Sequence, residues 1–400
     1  MRYYRVIIRT KDGSVLIPNF NGKPGFTPVP YSSDLSTYTS LNAGASTYDI
    51  GGANPAALKI EMDIALTPMD GALPTSFIRI WGIGLGEISQ ASNLANLNIE
   101  IYAGMSKGLP LANPAQSGLI ARGQIFNSFG NMIGVNQTLD IFVGTLGSSA
   151  SSNQTTANPN TASTLPAPTG TFDAPANIVF QWQAGQPLLS PLVNTLQTAY
   201  PQYSIVGAVH EGLVWSGAAV TGYYSTLKQF AQYLRQKSLS IIGGYAPASA
   251  PGSYPGVGLS LFNNTFIVSD GTTQTTPKQI QFIDLIGQPT WVDSFSVQCA
   301  CVLRADIHVG DYIALPDTAG VTTAGSNSQY FNPTPGTGVY DSLKTGSIFS
   351  GTFQVTNVRH VGDSRSPDPV AWVTTLDMIL ASNVVTSVVQ TLPVIAKGSS

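Results

Sequence analysis

The sequence predicts a mainly β protein: two antiparallel β-barrels with a small α+β module inserted between them. Three observations lead to this fold class. Short apolar runs with a period of two recur in the first and last thirds of the chain, as in strands with one buried face. Segments rich in Gly, Pro, Ser and Asn separate the runs, as turns do in barrels and sandwiches. Two stretches in the middle follow the helical period instead.

We assign the first barrel to residues 1–146. Its clearest run lies at 58–66, where every second residue is apolar and the residues between are mostly charged. Further strands are expected in the same region from shorter runs of the same kind, at 2–8, 77–81, 97–102, 120–126 and 138–143. Residues 18–52 are rich in turn formers and are expected to form a long loop or short irregular strands.

Residues 147–171 are almost wholly Ser, Thr, Asn, Ala and Pro, which cannot form a packed core, so we expect a linker or mobile loop. The α+β module follows at 172–278. Ser190 is the expected N-cap of a helix with Pro191 at its first position, and Pro201 is expected to end it. A second helix is expected at 226–238, with a strand pair at 204–215 between the two.

The second barrel is assigned to 279–383. Its central unit is a strand, a turn and a second strand within 286–316, and Gly310 can take a positive φ in the turn. The first strand has one apolar face, which carries Cys299 and Cys301, and a more polar face that ends at Arg304. Two cysteines on one strand face have Cα atoms about 6.6 Å apart. A bridge needs Cβ atoms about 3.8 Å apart, so we expect free buried thiols, as in a protein made in a reducing cytosol.

The last segment, 384–400, is apolar and β-branched. Nothing inside the chain obviously needs it, so we interpret it as a tail that docks on another chain. The residues expected to make this partner contact are Val384, Val385, Val388, Val389, Leu392 and Val394.

Charged residues make up 10% of the chain, against roughly 25% in ordinary soluble domains. So few charges favour a protein that hides much of its surface in an assembly. The net charge of −3 gives no basic footprint for sequence-independent binding of nucleic acid. No apolar run reaches the ~20 residues of a membrane-spanning helix, and the first residues have no signal-peptide pattern.

The residue types of common active sites are present without the spacing of one. The three histidines (His210, His308, His360) share no metal-binding spacing with each other or with the cysteines. The glycines of 82–86 (GIGLG) depart from the nucleotide-binding pattern, and no helical pattern follows them. Four carboxylates lack an acid–base partner and are interpreted as a solvated face: Glu61, Asp63, Glu87 and Glu100. We therefore expect no catalytic residue, no cofactor and no metal.

Three segments together resemble the baseplate hub proteins of contractile-tailed bacteriophages. They are IEIYAGMSKGLPLANPAQSGLIARGQI (99–125), LIGQPTWVDSFSVQCACVLRADIHVGDYIALP (285–316) and FQVTNVRHVGDSRSPDPVAWVTTLDMI (353–379). The resemblance covers both β regions and is weak across the helical module. The tract at 147–170 has no assigned place in the family pattern.

The resemblance implies a structural virion protein rather than an enzyme. Members of that family are homotrimers whose subunits each carry two tail-tube-like barrels, so that three subunits present six barrel positions. The ring joins the sixfold tail tube to the threefold central spike. The implied partners are the spike, the tail tube or tube-initiator proteins and the tape-measure protein, with DNA only passing through the lumen. The implied location is the phage tail baseplate, after synthesis in the cytoplasm of the host bacterium.

Two other functions stay open from the sequence. A receptor- or glycan-binding tail protein would use aromatic side chains in exposed loops, and the candidates are Tyr223, Tyr224, Tyr245, Tyr254 and Tyr330. An enzyme such as a cell-wall hydrolase is the third possibility. Neither accounts as well as a hub does for two β regions with matching strand-turn-strand patterns.

Overall fold

The computed structural model describes most of the chain, namely residues 2–19, 25–42, 52–71, 76–105, 113–145, 177–201, 203–242, 254–272, 276–292, 296–316, 352–381 and 389–395. The predicted linker at 147–171 therefore falls outside the described residues. The first β region contains these elements: β1 (Arg2–Arg9), β2 (Val15–Pro18), β3 (Phe26–Val29), β4 (Tyr38–Thr39), β5 (Lys59–Leu66), β6 (Ser76–Trp81), α1 (Leu85–Ser89), β7 (Asn98–Met105), β8 (Gly118–Ile133) and β9 (Asn136–Thr145).

The middle of the chain holds two longer helices and five strands in the described residues. They are β10 (Ile178–Trp182), α2 (Leu189–Ala199), β11 (Ser204–His210), β12 (Val220–Tyr224), α3 (Leu227–Ile242), β13 (Gly258–Phe262) and β14 (Thr265–Ser269). The last region contains β15 (Lys278–Gln279), β16 (Thr290–Trp291), β17 (Ser296–Val302), β18 (Tyr312–Ala314), β19 (Thr352–Asp363), β20 (Trp372–Leu380) and β21 (Val389–Ile395).

Most of these strands form one fifteen-stranded sheet. Its hydrogen-bonded path runs β16-β17-β20-β19-β5-β6-β9-β8-β7-β1-β2-β3, with β4, β15 and β18 attached beside it. The predicted mainly β class with a small helical part is confirmed. The path has two free ends, so the described strands form an open sheet and not two closed barrels.

The antiparallel pair β5–β19 joins the two β regions, since Leu66 lies opposite Val358 and Glu61 opposite Asp363. A second link is the indole of Trp372, whose Nε1 donates a hydrogen bond of 2.9 Å to the carbonyl oxygen of Gly104. The two regions therefore share a sheet and a core. The division into domains at 1–146, 172–278 and 279–383 stays a prediction.

The alternation at 58–66 is borne out by β5. Ile60, Met62, Ile64 and Leu66 are buried, while the residues between them are half-buried. Each such side chain removed from water contributes about 1.5–3 kcal/mol. Because consecutive side chains of a strand point to opposite faces, this run fixes which face of the sheet meets the core.

The strand-turn-strand unit also forms as predicted, with one difference. Val297, Cys299 and Cys301 are buried on β17, Gly310 has φ +94°, and β18 follows. The expected polar face does not extend to Arg304, which is buried. Its guanidinium donates to both carboxylate oxygens of Asp306, at 3.0 and 2.7 Å, and this partner compensates the buried charge.

The α+β module is built on a four-stranded sheet with the order β13-β14-β11-β21, and a separate pair β10–β12. Two details of the prediction are wrong. Helix α2 begins at Leu189, so Ser190 is not its N-cap. Pro191 is tolerated in the first turn because the N–H groups there have no intrahelical partner in any case. The expected strand pair at 204–215 is the single strand β11 followed by a turn, and β11 pairs parallel with β14.

The C-terminal strand β21 completes this sheet by pairing antiparallel with β11, where Leu392 lies opposite Gly207 and Val389 opposite His210. The assumption that nothing inside the chain needs the last segment is therefore wrong. Since β21 is the last strand in its sheet, its outer edge has no strand partner in the described part of the chain.

Candidate assembly surface

Among the described residues, the long hairpin β8–β9 carries the most exposed apolar group. Ile133 lies opposite Asn136, so the turn consists of Gly134 and Val135 alone. Gly134 has φ +62°, a conformation that glycine adopts readily at the first position of a two-residue hairpin turn. The tip side chains Met132, Ile133 and Val135 are 70%, 41% and 97% exposed. Three neighbouring apolar side chains in water favour an interaction site.

An aromatic cluster continues this surface towards the base of the hairpin. Phe142 is its centre, with ring centroids of Phe129, Phe126 and Phe77 at 5.5, 5.9 and 6.2 Å. A bulge at Phe126 adds one residue to β8 opposite β9 and shifts the register there. We call the tip residues and these four aromatic residues the hairpin surface.

The hairpin is also packed against α1 and the 3₁₀ turn that follows it. Gly130 lets Ile88 approach closely, since a Cβ at this glycine would lie only 2.2 Å from Ile88 Cγ2. The Ser128 hydroxyl donates to the Ala91 carbonyl oxygen at 2.5 Å. These contacts hold the hairpin in place and leave its tip in solvent.

The glycines of 82–86 have a structural role here. Gly82 has φ +82° in the turn after β6, and Gly84 precedes α1 in extended conformation. The sequence-based expectation that no helix follows them is wrong, although the helix has only five residues. A helix this short offers little to a phosphate, and its contact with β8 explains the segment.

A partly buried ion pair stabilises the same region. Arg79 donates to both oxygens of Asp140, at 2.7 and 2.8 Å, and Asn131 donates to Asp140 at 2.9 Å. The hydrogen bond to Asp140 raises the pKa of Arg79. Such a bidentate pair fixes β6 against β9 with defined geometry.

A second exposed apolar patch lies at one end of the sheet path, on and beside the edge strand β16. It consists of Trp291 and Val292, which are 37% and 66% exposed. Trp291 contacts Phe353 edge-on, with ring centroids 5.9 Å apart. We call Trp291 and Val292 the edge patch.

The predicted partner-contact residues fall into two groups. Val384, Val385 and Val388 lie outside the described residues. Val389, Leu392 and Val394 belong to β21, the edge strand of the module's sheet. The predicted contact with a partner through these residues stays a prediction, now with an open strand edge as its structural basis. The sequence analysis missed the hairpin surface, although its signal was present as the apolar residues on both sides of Gly134.

The four carboxylates named in the sequence do not form the single solvated face that was expected. Asp63 pairs with exposed Arg359 at 2.5 Å, and Glu61 pairs with Lys59 at 2.7 Å, as surface residues do. The expectation is wrong for Glu87 and Glu100, which are buried.

Neither cysteine has the environment of a nucleophile. Burial raises the pKa of Cys299 to about 12, with a smaller contribution from Asp377, and burial raises that of Cys301 as well. Both are free thiols, as predicted. Within the described ranges, no cluster of three or more His, Cys, Asp or Glu side chains has the arrangement of a metal site. The prediction that the chain is not an enzyme stays a prediction.

The aromatic residues proposed for glycan binding are mostly not in exposed loops. Tyr254 is buried, and its hydroxyl donates to Asp270 at 2.9 Å. Tyr224 lies in β12 against Phe230, with ring centroids 5.3 Å apart. Tyr223 is exposed, and Tyr245 and Tyr330 lie outside the described residues. The three members of this set that the structure describes do not share an exposed loop.

Among the helices described, none is long and apolar enough to cross a membrane. No family model matches the chain, and no curated protein matches it in sequence. Solved structures with a similar fold include the tail protein from Neisseria meningitidis MC58, with 8% identity and a TM-score of 0.42 over 94% of this chain and 96% of that chain. The 43 kDa tail protein of prophage MuSo2 from Shewanella oneidensis has 5% identity and a TM-score of 0.43 over 81% and 98%.

A PdpA–VgrG complex is a third, with 8% identity and a TM-score of 0.37 over 98% of this chain and 66% of that chain. At such scores the likeness is loose. The function proposed below depends on the chain's own residues instead.

Proposed function

We propose that this protein is the hub of a contractile phage-tail baseplate, a homotrimer that joins the sixfold tail tube to the threefold central spike. The observation that carries the proposal is the hairpin surface, an apolar projection on an open sheet. The three segments that resemble hub proteins, at 99–125, 285–316 and 353–379, contribute β7–β8, β16–β18 and β19–β20 to that same sheet.

The two apolar surfaces support a ring rather than a twofold dimer. The hairpin surface and the edge patch differ in sequence and lie on different strands of the path. A contact between two different patches is heterologous, and repeated heterologous contacts close into a ring when the rotation between copies permits it. In the proposed trimer, the hairpin surface of each subunit packs on the edge patch of the next.

The energetics allow such an interface. A subunit contact of about 2,000 Å² that is roughly 60% apolar contributes on the order of 30 kcal/mol before costs, at about 25 cal/mol per Å². Lost translational and rotational freedom and polar desolvation offset most of this. The remainder is sufficient for a stable trimer, and the low charge content of the chain keeps the desolvation cost down.

The remaining partners follow from the position of a hub in a tail. In the proposal, the central spike binds below the ring, the tail tube or tube-initiator proteins and the tape-measure protein lie above it, and DNA passes through the lumen. The net charge of −3 disfavours adhesion of DNA to the wall during passage. The protein would act in the virion after synthesis in the host cytoplasm.

The first experiment is the mass of the purified protein by light scattering, with negative-stain images of the same peak. We expect three times 42.0 kDa, about 126 kDa, and a threefold ring with an open centre. If the protein is a monomer, the measurement is repeated with the candidate spike protein. A chain that stays monomeric with the spike present contradicts the hub, and a receptor-binding tail protein then becomes the better hypothesis.

A further inference from the structure

A small polar cavity of about 90 Å³ lies between the main sheet and the turn that joins β13 to β14. The sheet contributes residues from the ends of β1, β7 and β8, and the module contributes Asn264 from the turn. The cavity is therefore lined by two parts of the chain that are distant in sequence. Its lining is more polar and more cationic than the surfaces described above.

Strand register brings the sheet residues together. Arg9 lies opposite Asn98 across β1 and β7, and Glu100 lies opposite Arg122 across β7 and β8. Asn98 and Glu100 are two residues apart, so all four side chains share one face of the sheet. Their adjacency comes from pairing between strands and not from any local motif.

Glu100 orients the two arginines. Its carboxylate accepts a hydrogen bond from Arg122 Nη2 at 2.7 Å and from Arg9 Nη2 at 3.3 Å. The Tyr102 hydroxyl also donates to it, at 3.1 Å. The Arg9 guanidinium lies over the ring of Tyr31, 4.0 Å from its centroid. Both guanidinium groups are thus held in fixed orientations beside the cavity.

Four buried atoms that belong to the cavity lining have no hydrogen-bond partner among the residues that the structure describes. They are Nε of Arg9, Nε of Arg122, Oδ1 of Asn98 and Oδ1 of Asn264. A buried polar group without a partner costs about 1–3 kcal/mol, more when it is charged. The polar side chains around this cavity are therefore not fully satisfied by the described protein groups.

The charge of the lining indicates an anion. Arg9, Lys11 and Arg122 contribute three positive charges and Glu100 one negative charge. The two free Nε–H groups are donors, and each asparagine can present its NH₂ by rotation of the amide. The cavity, about 90 Å³ in volume, has room for several water molecules and therefore for a small tetrahedral oxyanion.

We propose that this cavity binds a small tetrahedral oxyanion, with inorganic phosphate as the natural ligand, and that the anion fastens the β13–β14 turn of the module to the main sheet. Arg9, Lys11 and Arg122 supply the charge, and Asn98 and Asn264 supply hydrogen bonds from opposite walls. The inference does not depend on the hub function, because each residue it uses lies within one chain.

The test is calorimetric titration of the whole protein with sodium phosphate at neutral pH, in sodium chloride of matched ionic strength. We expect saturable binding at one anion per chain. Asn264→Asp places a negative charge in the cavity and is expected to weaken binding at least about tenfold, the loss of one charge-assisted contact. Asn263→Asp is the matched control, since this exposed residue of the same turn has the same charge change and is not in the lining. It is expected to bind as the original does.

A second variant and a second probe complete the test. Lys11→Gln removes one cation from the exposed side of the cavity, so it is expected to weaken binding even if Asn264→Asp does not fold. A short single-stranded oligonucleotide tests whether the phosphate can come from a nucleic acid backbone, and we expect no binding in this cavity. Absence of saturable phosphate binding overturns the proposal. It is also overturned if Asn263→Asp weakens phosphate binding as much as Asn264→Asp does. Binding of the oligonucleotide that phosphate displaces overturns the assignment to a free anion.

Discussion

His360 is a titratable side chain enclosed in the core of the second β region. It lies on β19, has 1% of its surface exposed, and its Nδ1 lies 2.9 Å from the Thr374 hydroxyl. Burial lowers its pKa to about 3, with a smaller contribution from the charge of His308. The imidazole is therefore neutral in the folded protein at any pH near 7.

We predict that His360 makes the protein sensitive to acid. Between the ordinary histidine pKa of about 6.5 and the folded value of about 3, the unfolded chain binds a proton that the folded chain does not. The contribution to stability is complete above pH 6.5 and is lost as the pH falls below it, by about 1.4 kcal/mol per pH unit. Urea unfolding at several pH values between 4 and 7 measures the slope.

His360→Gln can keep a hydrogen bond to Thr374 and cannot titrate, so its slope is expected to be smaller by about one proton. The control is His210→Gln, which changes a histidine that is not enclosed. Equal slopes for His360→Gln and the original protein would show that the proton is taken up elsewhere.

At the residue scale, local patterns could be predicted from the sequence, whereas contacts between distant residues could not. The apolar positions of β5 were predictable because period two is a local property of the chain. The partners of Glu100 were not, because Arg9 is separated from it by 91 residues and only strand register brings them together. Arg304 was expected on a polar face, since the pattern of a strand cannot reveal that Asp306 compensates a buried charge.

At the scale of elements, the β8–β9 hairpin has different residues for the proposed interface and for the stability of the fold. Its tip side chains contact water, whereas Ile141 and Leu139 on the same hairpin are fully buried. Changing the tip removes apolar surface that the folded monomer does not use. The fold and the proposed interface can therefore be altered independently.

We predict that the double variant Met132→Gln, Val135→Ser folds normally and no longer forms the trimer. Stability of the monomer is expected to change by no more than about 0.5 kcal/mol, as for other surface substitutions. Loss of central interface contacts typically costs about 2 kcal/mol or more each, enough to lower the trimer population by well over tenfold. Thermal unfolding measures the stability of the monomer. Light scattering at several concentrations measures the trimer population.

Val179→Ser provides the comparison, because Val179 is also exposed but lies on β10 in the module. It is expected to leave both quantities unchanged. A trimer of normal strength in the double variant would remove the hairpin surface from the interface.

The elements themselves were predicted unevenly. Long apolar alternations and both longer helices were identified because their periods are intrinsic to the segment. The start of α2 was misplaced by two residues, since Ser190-Pro191 is a good start signal but the helix already begins at Leu189. Strand β21 was read as a tail, because an apolar β-branched segment looks the same whether its partner strand belongs to its own chain or to another.

For the whole molecule, the continuous sheet decides how the two β regions unfold. The pair β5–β19 and the hydrogen bond from Trp372 to Gly104 connect them. Closed, separate barrels would have allowed each region to open alone. A shared sheet makes the opening of one region expose the core of the other.

We predict that β7 and β20 unfold as one unit. Ile64 is fully buried in β5, at the junction of the two regions. Ile64→Ala is expected to cost about 2–5 kcal/mol and to lower the opening free energy of both strands equally. Amide hydrogen exchange measured by mass spectrometry on peptides from each strand reports the two values.

Ile178→Ala serves as the control, since Ile178 is equally buried but belongs to β10 of the module. It is expected to lower the opening free energy of peptides from the module more than that of peptides from β7 or β20. If Ile64→Ala lowers the opening free energy of β7 alone, the result would favour the division into independent domains at 1–146 and 279–383.

Strand β21 also sets an order of events during synthesis. The module's other three strands are complete once Ser269 has been made, yet their sheet gains its fourth strand only when Val389 follows, 120 positions later. At roughly 5–20 residues per second, the ribosome needs about 6 to 24 seconds to cover that distance. During this interval β11 has β14 on one side and an open edge on the other, so the nascent chain must pass through a state in which a different strand could pair there.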